Sequence, residues 1–202
     1  MSNDPTAILI EFDPRQQRMM GVARHGMTPF DVPFISELAE NLWQGGCRDG
    51  LILPEFIDYV VSLYPWEKYT IKHNADRTEI EMFDSLDQST EQLDEIARLV
   101  NHLRKRGVVL VHCQAGLNRS SLVAARALML DGLTANEAIR TIREKRSPAC
   151  LCNAAFEAHL RSLDQVTDMQ PLDSKPSTGH AKALKAALKG REGQSHEDNN
   201  TN

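Results

Sequence analysis

The sequence predicts an α/β fold, with a central mixed sheet of about four or five strands and helices on its two faces. Short apolar runs rich in β-branched residues alternate along the chain with longer segments whose apolar residues recur every three or four positions. The chain has 202 residues, of which 41% are hydrophobic, and this is enough for one well-formed core. The alternation spans residues 31–167, which we expect to form a single domain.

The two ends of the chain differ from this region in composition. Residues 1–30 are predicted to be an amino-terminal extension, in which residues 7–12 form an added strand. The polar and basic residues 15–27 would either cover the domain or reach toward a substrate. Residues 168–202 are rich in Pro, Ser, Asp, Lys and Gly, so we expect a flexible polar tail.

The strands are predicted from short apolar runs between turn signals. In chain order they cover residues 42–43, 59–63, 69–72, 78–83 and 108–111. The last run is β-branched and follows the turn signal Lys105-Arg106-Gly107, so we expect a buried strand at the centre of the sheet.

Four helices are predicted from apolar residues at helical spacing. They cover residues 91–105, 119–130, 135–145 and 153–163. The strand at residues 108–111 is therefore expected to lead through a tight loop into a helix that begins at Arg119. In open α/β sheets, ligands bind at such carboxyl ends of central strands.

The tight loop places residues suited to anion binding at the amino end of a helix. Unpaired backbone N–H groups and the helix dipole favour negative charge there. They also favour a thiolate over a thiol, so Cys113 is predicted to be acidic and nucleophilic. The planar guanidinium of Arg119 matches two oxygens of a phosphoryl group. Gly116 gives the backbone room to curl around the anion.

Residues 112–120 form the pattern HCxxGxxRS, which resembles the signature of the cysteine-dependent protein tyrosine phosphatases. Residues 34–46, 56–63 and 146–160 resemble, in the same order, further elements of the dual-specificity branch of that superfamily. The resemblance covers roughly residues 34–163 and implies the single-domain phosphotyrosine-phosphatase-like fold.

The resemblance implies hydrolysis of phosphomonoesters of protein tyrosine and serine/threonine without a metal or cofactor. The Cys113 thiolate would attack phosphorus to form a cysteinyl-phosphate, which water would then hydrolyse. A carboxylic acid must protonate the leaving oxygen and later deprotonate the water. Asp84 is the first candidate because it ends a segment, residues 80–84, that fits the family's strand end, and Asp87 on the same loop is the alternative. Ser120 would donate a hydrogen bond to the cysteine sulfur.

The remaining loop residues would surround the substrate phosphate. They are Gln114, Ala115, Gly116, Leu117 and Asn118. Asn153, which is also a predicted helix N-cap, would contact this loop by resemblance. His112 would brace the loop, because its side chain and that of Cys113 point to opposite sheet faces if both residues end the same strand.

Three alternatives remain open. The first is an RNA 5′-triphosphatase or another non-protein phosphatase on the same fold: residues 116–119 also resemble the GxNR of metal-independent RNA 5′-triphosphatases, and other relatives with this fold act on inositol lipids or phosphoglucans. A net charge of −5 and the lack of an aromatic-interleaved basic stretch disfavour nucleic acid. A non-catalytic phosphopeptide-binding module is disfavoured because the cysteine, the arginine and the acid are all present. A zinc site built from His112 and three of the four cysteines has unsuitable spacing.

The expected partner is a phosphorylated protein. Four cysteines without a disulfide framework, the lack of an apolar run near twenty residues and the lack of a signal pattern predict a cytoplasmic enzyme without membrane contact. A chain of this size leaves little room for an extra loop carrying an aromatic ring that stacks on phosphotyrosine. The sequence therefore favours the shallow pocket of a dual-specificity enzyme.

Overall fold

The computed structural model of the protein describes residues 8–23, 28–85, 87 and 89–167. The strands in this part of the chain are β1 (Ile8–Asp13), β2 (Arg18–Ala23), β3 (Thr28–Pro33), β4 (Ile35–Ala39), β5 (Leu42–Gly46), β6 (Tyr59–Ser62), β7 (Asp76–Glu79) and β8 (Val109–Cys113). The helices are α1 (Thr90–Arg104), α2 (Arg119–Leu130), α3 (Ala135–Lys145) and α4 (Ala154–Thr167). The predicted tail at residues 168–202 lies outside the described residues.

The main sheet has five strands in the order β4-β5-β8-β6-β7. β4 is antiparallel to β5 and the other neighbours are parallel, so the sheet is mixed, as predicted. β8 lies at its centre, and all five of its residues are buried. A parallel strand covered on both faces is typically a continuous apolar run, and residues 109–111 have this character. The α/β fold class is therefore confirmed.

The four helices lie together on one side of the sheet. α2 contacts β5, β8 and each of the other three helices. On the opposite face of β8, the ring of His112 packs edge-on against Tyr69, with ring centroids 5.4 Å apart. Tyr69 belongs to the connection between β6 and β7, which contains no helix. The second face is thus covered by this connection, where the sequence had led us to expect helices.

One predicted strand, at residues 69–72, does not form. Only Thr70 pairs in this segment, through a single bridge to Ile52. The neighbouring Tyr69 is buried against the sheet, and its hydroxyl donates a hydrogen bond to the carbonyl of Gly46. The apolar residues of this segment therefore pack on a sheet face and do not extend the sheet.

The strand predicted at residues 78–83 forms as β7, but β7 begins and ends earlier than predicted, at Asp76 and Glu79. Its partner β6 ends at Ser62, whose carbonyl accepts the N–H of Ile80 at 2.8 Å. Because β6 offers no further backbone for pairing, the chain after Ile80 leaves the sheet. Residues 82–85 then run past the loop that follows β8.

The helix predictions agree closely with the structure. α2 and α3 cover the predicted residues. α1 begins one residue earlier than predicted, after Ser89, whose hydroxyl accepts the N–H of Gln92 at 3.2 Å and caps the helix. α4 extends four residues beyond the prediction, to Thr167.

The amino-terminal residues form a second sheet, in the order β1-β2-β3 with antiparallel pairs. The strand predicted at residues 7–12 is confirmed as β1, and β2 lies within the polar stretch at residues 15–27. Met19 of β2 is buried against Gly46, where an added Cβ would lie 2.5 Å from the Met19 sulfur. This stretch was expected either to cover the domain or to reach toward a substrate. The buried contact of Met19 favours the first role.

The amino end of α3 carries a capping box, whose contribution to stability can be tested by mutation. The Thr134 hydroxyl accepts the N–H of Glu137, and the Glu137 carboxylate accepts the N–H of Thr134. Thr134→Ala is expected to lower the free energy of unfolding by about 1 kcal/mol, measured by urea denaturation. Thr141→Ala is the control, because the Thr141 hydroxyl only bonds a carbonyl within the helix. An equal loss in both variants would contradict the role of the cap.

Candidate functional site

The loop between β8 and α2 is drawn into a tight curl at Gly116. Gly116 has a φ of +66°, a left-handed value that favours glycine. A Cβ here would collide with the backbone of Gly45 on the neighbouring strand β5. The curl directs the backbone N–H groups of Gly116 and Ser120 toward the sulfur of Cys113. The loop is therefore closed around that sulfur.

Cys113 is buried inside this curl, with its Sγ 3.4 Å from the Oγ of Ser120. Burial by itself raises the pKa of the Cys113 thiol. The positive charge of Arg119, the Ser120 hydroxyl and the two loop N–H groups outweigh that effect, so the pKa lies below its ordinary value. The thiol therefore ionises more readily than a free cysteine and is a better nucleophile near neutral pH.

Arg119 begins α2 and lies against two other segments of the chain. Its Nη1 donates to the carbonyl of Met82 at 3.2 Å, and its Cζ is 4.9 Å from the centroid of the Tyr64 ring. Its Nε is buried and has no hydrogen-bond partner among the residues that the structure describes. A buried guanidinium N–H without a partner is costly, and an anion in the loop would satisfy it.

Asp84 is tied to the loop by two asparagines. Nδ2 of Asn118 donates to one carboxylate oxygen of Asp84 at 2.9 Å, and Nδ2 of Asn153 donates to the other at 2.9 Å. Oδ1 of Asn118 also accepts the backbone N–H of Asn153 at 3.2 Å. Because Asn118 immediately precedes Arg119, this network holds the Asp84 carboxylate beside the loop. Asp87, the alternative acid, is exposed.

The other loop side chains are turned away from the centre of the curl. Ala115 and Leu117 are fully buried in the core, so any phosphate contact would come from their backbone N–H groups. Nε2 of Gln114 donates to the hydroxyl of Tyr64 at 3.2 Å. The Asn118 amide is engaged by Asp84, as described above. The loop thus offers its backbone N–H groups to a phosphate, and its side chains anchor it to the surrounding structure.

Arg146, which follows α3, supports the loop from behind. It is buried and donates to the carbonyls of Gly116 and Ala115 at 2.5 and 3.1 Å. It also donates to the carbonyl of Pro33 at 3.1 Å and to the hydroxyl of Ser36 at 3.2 Å. A buried cation is tolerated when its donors are satisfied in this way. Arg146 therefore links the loop to the β3–β4 region.

Gln44 on β5 makes a second link of this kind. Its Nε2 donates to the hydroxyl of Ser121 at 2.6 Å and to the carbonyl of Gly116 at 2.9 Å. No site role is predicted from the sequence for Gln44, Arg146 or Tyr64. Gln44 and Arg146 lie in segments that carry the family resemblance. That resemblance could have marked them as residues that support the loop. Tyr64 had no such signal, because only the fold brings it to Arg119.

The described part of the chain contains no group of three or more His, Cys, Asp or Glu side chains arranged to hold a metal ion. All four cysteines are free thiols. The zinc site considered from the sequence is therefore not formed by these residues. Within the same described ranges, no helix is long and apolar enough to cross a membrane.

The family model of the dual specificity phosphatase catalytic domain matches residues 55–166, more than half of the chain. The chain belongs to the dual-specificity phosphatases. The matched residues include β6, β8, α2 and the whole loop around Cys113. The resemblance noted from the sequence is therefore confirmed, and the protein is a phosphatase of the protein tyrosine/dual-specificity class.

Solved structures with the same fold include human DUSP28, which is 20% identical with a TM-score of 0.56 over 67% of this chain and 99% of that chain. A mouse putative dual specificity phosphatase complexed with zinc tungstate is 20% identical, with a TM-score of 0.54 over 70% and 94%. Human tyrosine phosphatase-like serine/threonine/tyrosine-interacting protein is 18% identical, with a TM-score of 0.54 over 66% and 97%. These likenesses show the fold alone. No curated protein sequence matches the chain.

His112 of this dual-specificity phosphatase is buried behind the loop. Its Nδ1 lies 3.3 Å from the carbonyl oxygen of Cys113, and its ring packs on Tyr69. Burial is the main reason that the pKa of His112 falls from its ordinary 6.5 to about 4, and the positive charges of Arg77 and Arg119 add to the effect. The imidazole is therefore neutral at pH 7 in the folded protein.

The lowered pKa of His112 predicts a loss of stability in mild acid. Protonation favours the unfolded chain, so this contribution is complete above pH 6.5 and is lost as the pH falls toward 4. Between pH 7 and pH 5 it amounts to about 2 kcal/mol of unfolding free energy. His112→Phe keeps a planar ring against Tyr69 and should show a correspondingly shallower pH dependence in urea denaturation. Identical pH dependence in both proteins would contradict the assignment.

Proposed function

We propose that this dual-specificity phosphatase hydrolyses phosphomonoesters of protein tyrosine and of serine and threonine through a cysteinyl-phosphate on Cys113. The observation that carries the proposal is the convergence of three groups on one loop. They are a buried thiol with a lowered pKa, a buried guanidinium N–H without a partner in the described residues, and a carboxylate tied to the loop by Asn118. Each meets one requirement of phosphoryl transfer to sulfur.

In the first displacement the substrate phosphate lies in the curl of the loop. The backbone N–H groups and the fork of Arg119 bind its oxygens, and this neutralises the charge that would repel a thiolate. The Cys113 thiolate attacks phosphorus, a sulfur–phosphorus bond forms and the phosphorus–oxygen bond to the protein substrate breaks. Asp84 gives its proton to the departing oxygen.

In the second displacement a water molecule attacks the phosphoenzyme. The Asp84 carboxylate takes a proton from this water, and inorganic phosphate and the Cys113 thiolate are released. The Ser120 hydroxyl, 3.4 Å from the sulfur, stabilises the thiolate as it leaves. Asp84 thus returns to its acid form and the cycle closes without a cofactor.

Asn118 acts in this scheme as a positioning residue. Its amide nitrogen holds Asp84, and its amide oxygen is held by the N–H of Asn153. The general acid is thereby fixed to the residue next to Arg119, which binds the phosphate. This use of the Asn118 side chain accounts for the asparagine in the loop without an RNA substrate.

The biological partner in this proposal is a phosphorylated protein. Four free cysteines, including the proposed nucleophile, fit a reducing compartment such as the cytoplasm.

The roles of Cys113 and Asp84 predict distinct kinetic losses in the presence of excess chelator. Cys113→Ser should abolish phosphate release from phosphotyrosine and phosphothreonine peptides, because an alcohol is not ionised at neutral pH. Asp84→Asn should lower kcat for the phosphotyrosine peptide by about 100-fold. Its loss with p-nitrophenyl phosphate should be smaller, since that leaving group is more acidic and needs a proton less.

Asp87→Asn is the matched control, because it makes the same change three residues along the same loop. We expect its kcat to stay close to that of the wild type. A large loss in Asp87→Asn beside an active Asp84→Asn would reverse the assignment of the acid. Hydrolysis of a 5′-triphosphate RNA alone would overturn the protein substrate, and peptide binding without turnover by the wild type would indicate a binding module.

Asn118→Ala tests the positioning role separately. Misplacing the acid should lower kcat for the phosphotyrosine peptide by roughly 10- to 100-fold, with a smaller loss for p-nitrophenyl phosphate. In an Asp84→Asn background the same change should have little further effect, because the two residues act through one contact. Equal rises in KM for both substrates, with kcat unchanged, would instead assign Asn118 to phosphate binding.

A further inference from the structure

The side chain of Gln44 meets two hydroxyl groups at the start of α2. Gln44 lies on β5 and is fully buried, as are Ser120 and Ser121 on α2. Its Nε2 is 3.2 Å from the Oγ of Ser120 and 2.6 Å from the Oγ of Ser121. The same nitrogen is 2.9 Å from the carbonyl oxygen of Gly116. One amide nitrogen thus faces two hydroxyls and one carbonyl.

The carbonyl of Gly116 fixes the direction in which the Gln44 amide points. A carbonyl oxygen only accepts hydrogen bonds, so the amide atom that faces it must be the nitrogen and not the oxygen. The nitrogen donates and does not accept, and its two hydrogens are shared among three acceptors. The hydroxyl oxygens of Ser120 and Ser121 therefore both face a donor.

A hydroxyl oxygen that faces a donor keeps its own hydrogen for another partner. Each hydroxyl has one hydrogen, which rotates toward an acceptor within reach. Ser121 shows this arrangement, because its Oγ donates to the carbonyl of Leu117 at 2.7 Å. For Ser120 the second contact is the sulfur of Cys113, at 3.4 Å. The Gln44 amide thus leaves the Ser120 hydrogen available to the sulfur.

We propose that Gln44 is a positioning residue, which directs the Ser120 hydroxyl toward the sulfur of Cys113. This inference rests on the proposed function, in which the Ser120 hydrogen stabilises the thiolate. It places a residue of β5, outside the loop, in the series of contacts that ends at the nucleophile. Gln44 acts twice in this cycle, when the thiol ionises and when the thiolate leaves the phosphoenzyme.

The chemistry of the position explains why an amide nitrogen suits it. An acceptor in place of this nitrogen would compete with the sulfur for the Ser120 hydrogen, and an apolar side chain would leave the hydroxyl free to rotate. The Gly116 carbonyl does not depend on Gln44 alone, because Nε of Arg146 also donates to it at 2.5 Å. Removing the amide should therefore disturb Ser120 more than the backbone of the loop.

Alkylation of Cys113 measures this effect without turnover. Gln44→Met keeps a side chain of similar length but has no N–H group. In mildly acidic buffer, where the thiolate is the minor form, its alkylation by iodoacetamide should slow by about threefold, followed by the mass of the peptide that contains Cys113. Ser120→Ala should slow it at least as much. Ser121→Ala is the matched control, because it removes the neighbouring hydroxyl, and should react like the wild type.

The second displacement gives an independent measurement. When the Ser120 hydrogen does not point at the sulfur, the thiolate is a poorer leaving group and the cysteinyl-phosphate decays more slowly. Rapid mixing with p-nitrophenyl phosphate separates the release of p-nitrophenol from this decay. Gln44→Met should slow the decay by roughly threefold to tenfold, the range for one hydrogen bond, and the release of p-nitrophenol by less.

Combining the variants tests whether Gln44 acts through Ser120. In a Ser120→Ala protein, Gln44→Met should have little further effect on either measurement, because the two residues act through one contact. A further loss as large as that in the wild-type background would overturn the proposal, since Gln44 would then act by another route. Unchanged alkylation and decay in the single Gln44→Met variant would overturn it as well.

A loss of packing differs from a loss of hydroxyl direction in what it changes. A variant that only loosens the core should weaken inhibition by inorganic phosphate and slow both displacements alike, and this outcome would overturn the positioning role. Selective slowing of the decay, with phosphate inhibition unchanged and no effect in Ser121→Ala, supports it. A wild type that forms no cysteinyl-phosphate overturns the proposed function alone, because alkylation still reports the direction of the Ser120 hydroxyl.

Discussion

The loop between β8 and α2 turns its backbone N–H groups inward around a sulfur, and the surrounding structure must therefore satisfy the carbonyl groups that point outward. A buried carbonyl without a partner is costly, so each one requires a donor. Arg146 donates to two of them, and the N–H groups of Cys47 and Leu151 donate to two others. These donors come from distant parts of the chain, so the loop can form only when the sheet and the segment after α3 are both in place.

Two buried arginines serve this loop in opposite ways. Arg146 is buried, and its N–H groups donate to backbone carbonyls and to the hydroxyl of Ser36. The Nε of Arg119 is buried and has no hydrogen-bond partner in the described structure. The first arginine supplies rigidity and the second supplies an open donor with a fixed charge. The lowered pKa of Cys113 depends on the second, because Arg119 is the largest influence opposing burial.

The positions at which strands β6 and β7 end place Asp84 and Tyr64 beside the loop. β6 stops at Ser62, so β7 loses its partner and the chain carries Asp84 off the sheet to the two asparagines. The chain leaving β6 carries the Tyr64 ring over the guanidinium of Arg119, and Trp66 packs on Tyr64. Tyr64 thus reaches Arg119 on a connection that the fold already needs to join β6 to β7.

The sequence by itself determined the family, the helices α2 and α3, the central strand and the placement of Cys113 and Arg119 at the two ends of one loop. These are local properties, since helical periodicity and a spacing of six residues are both visible within one short segment. Only the tertiary structure brought Asp84 to Asn118, turned Ala115 and Leu117 into the core and placed Gln44, Tyr64 and Arg146 around the loop. The decisive contacts join residues 30 to 113 positions apart. No local pattern encodes which of several polar side chains meets another across such a distance, because that depends on where each strand ends and on which carbonyl groups are left to satisfy.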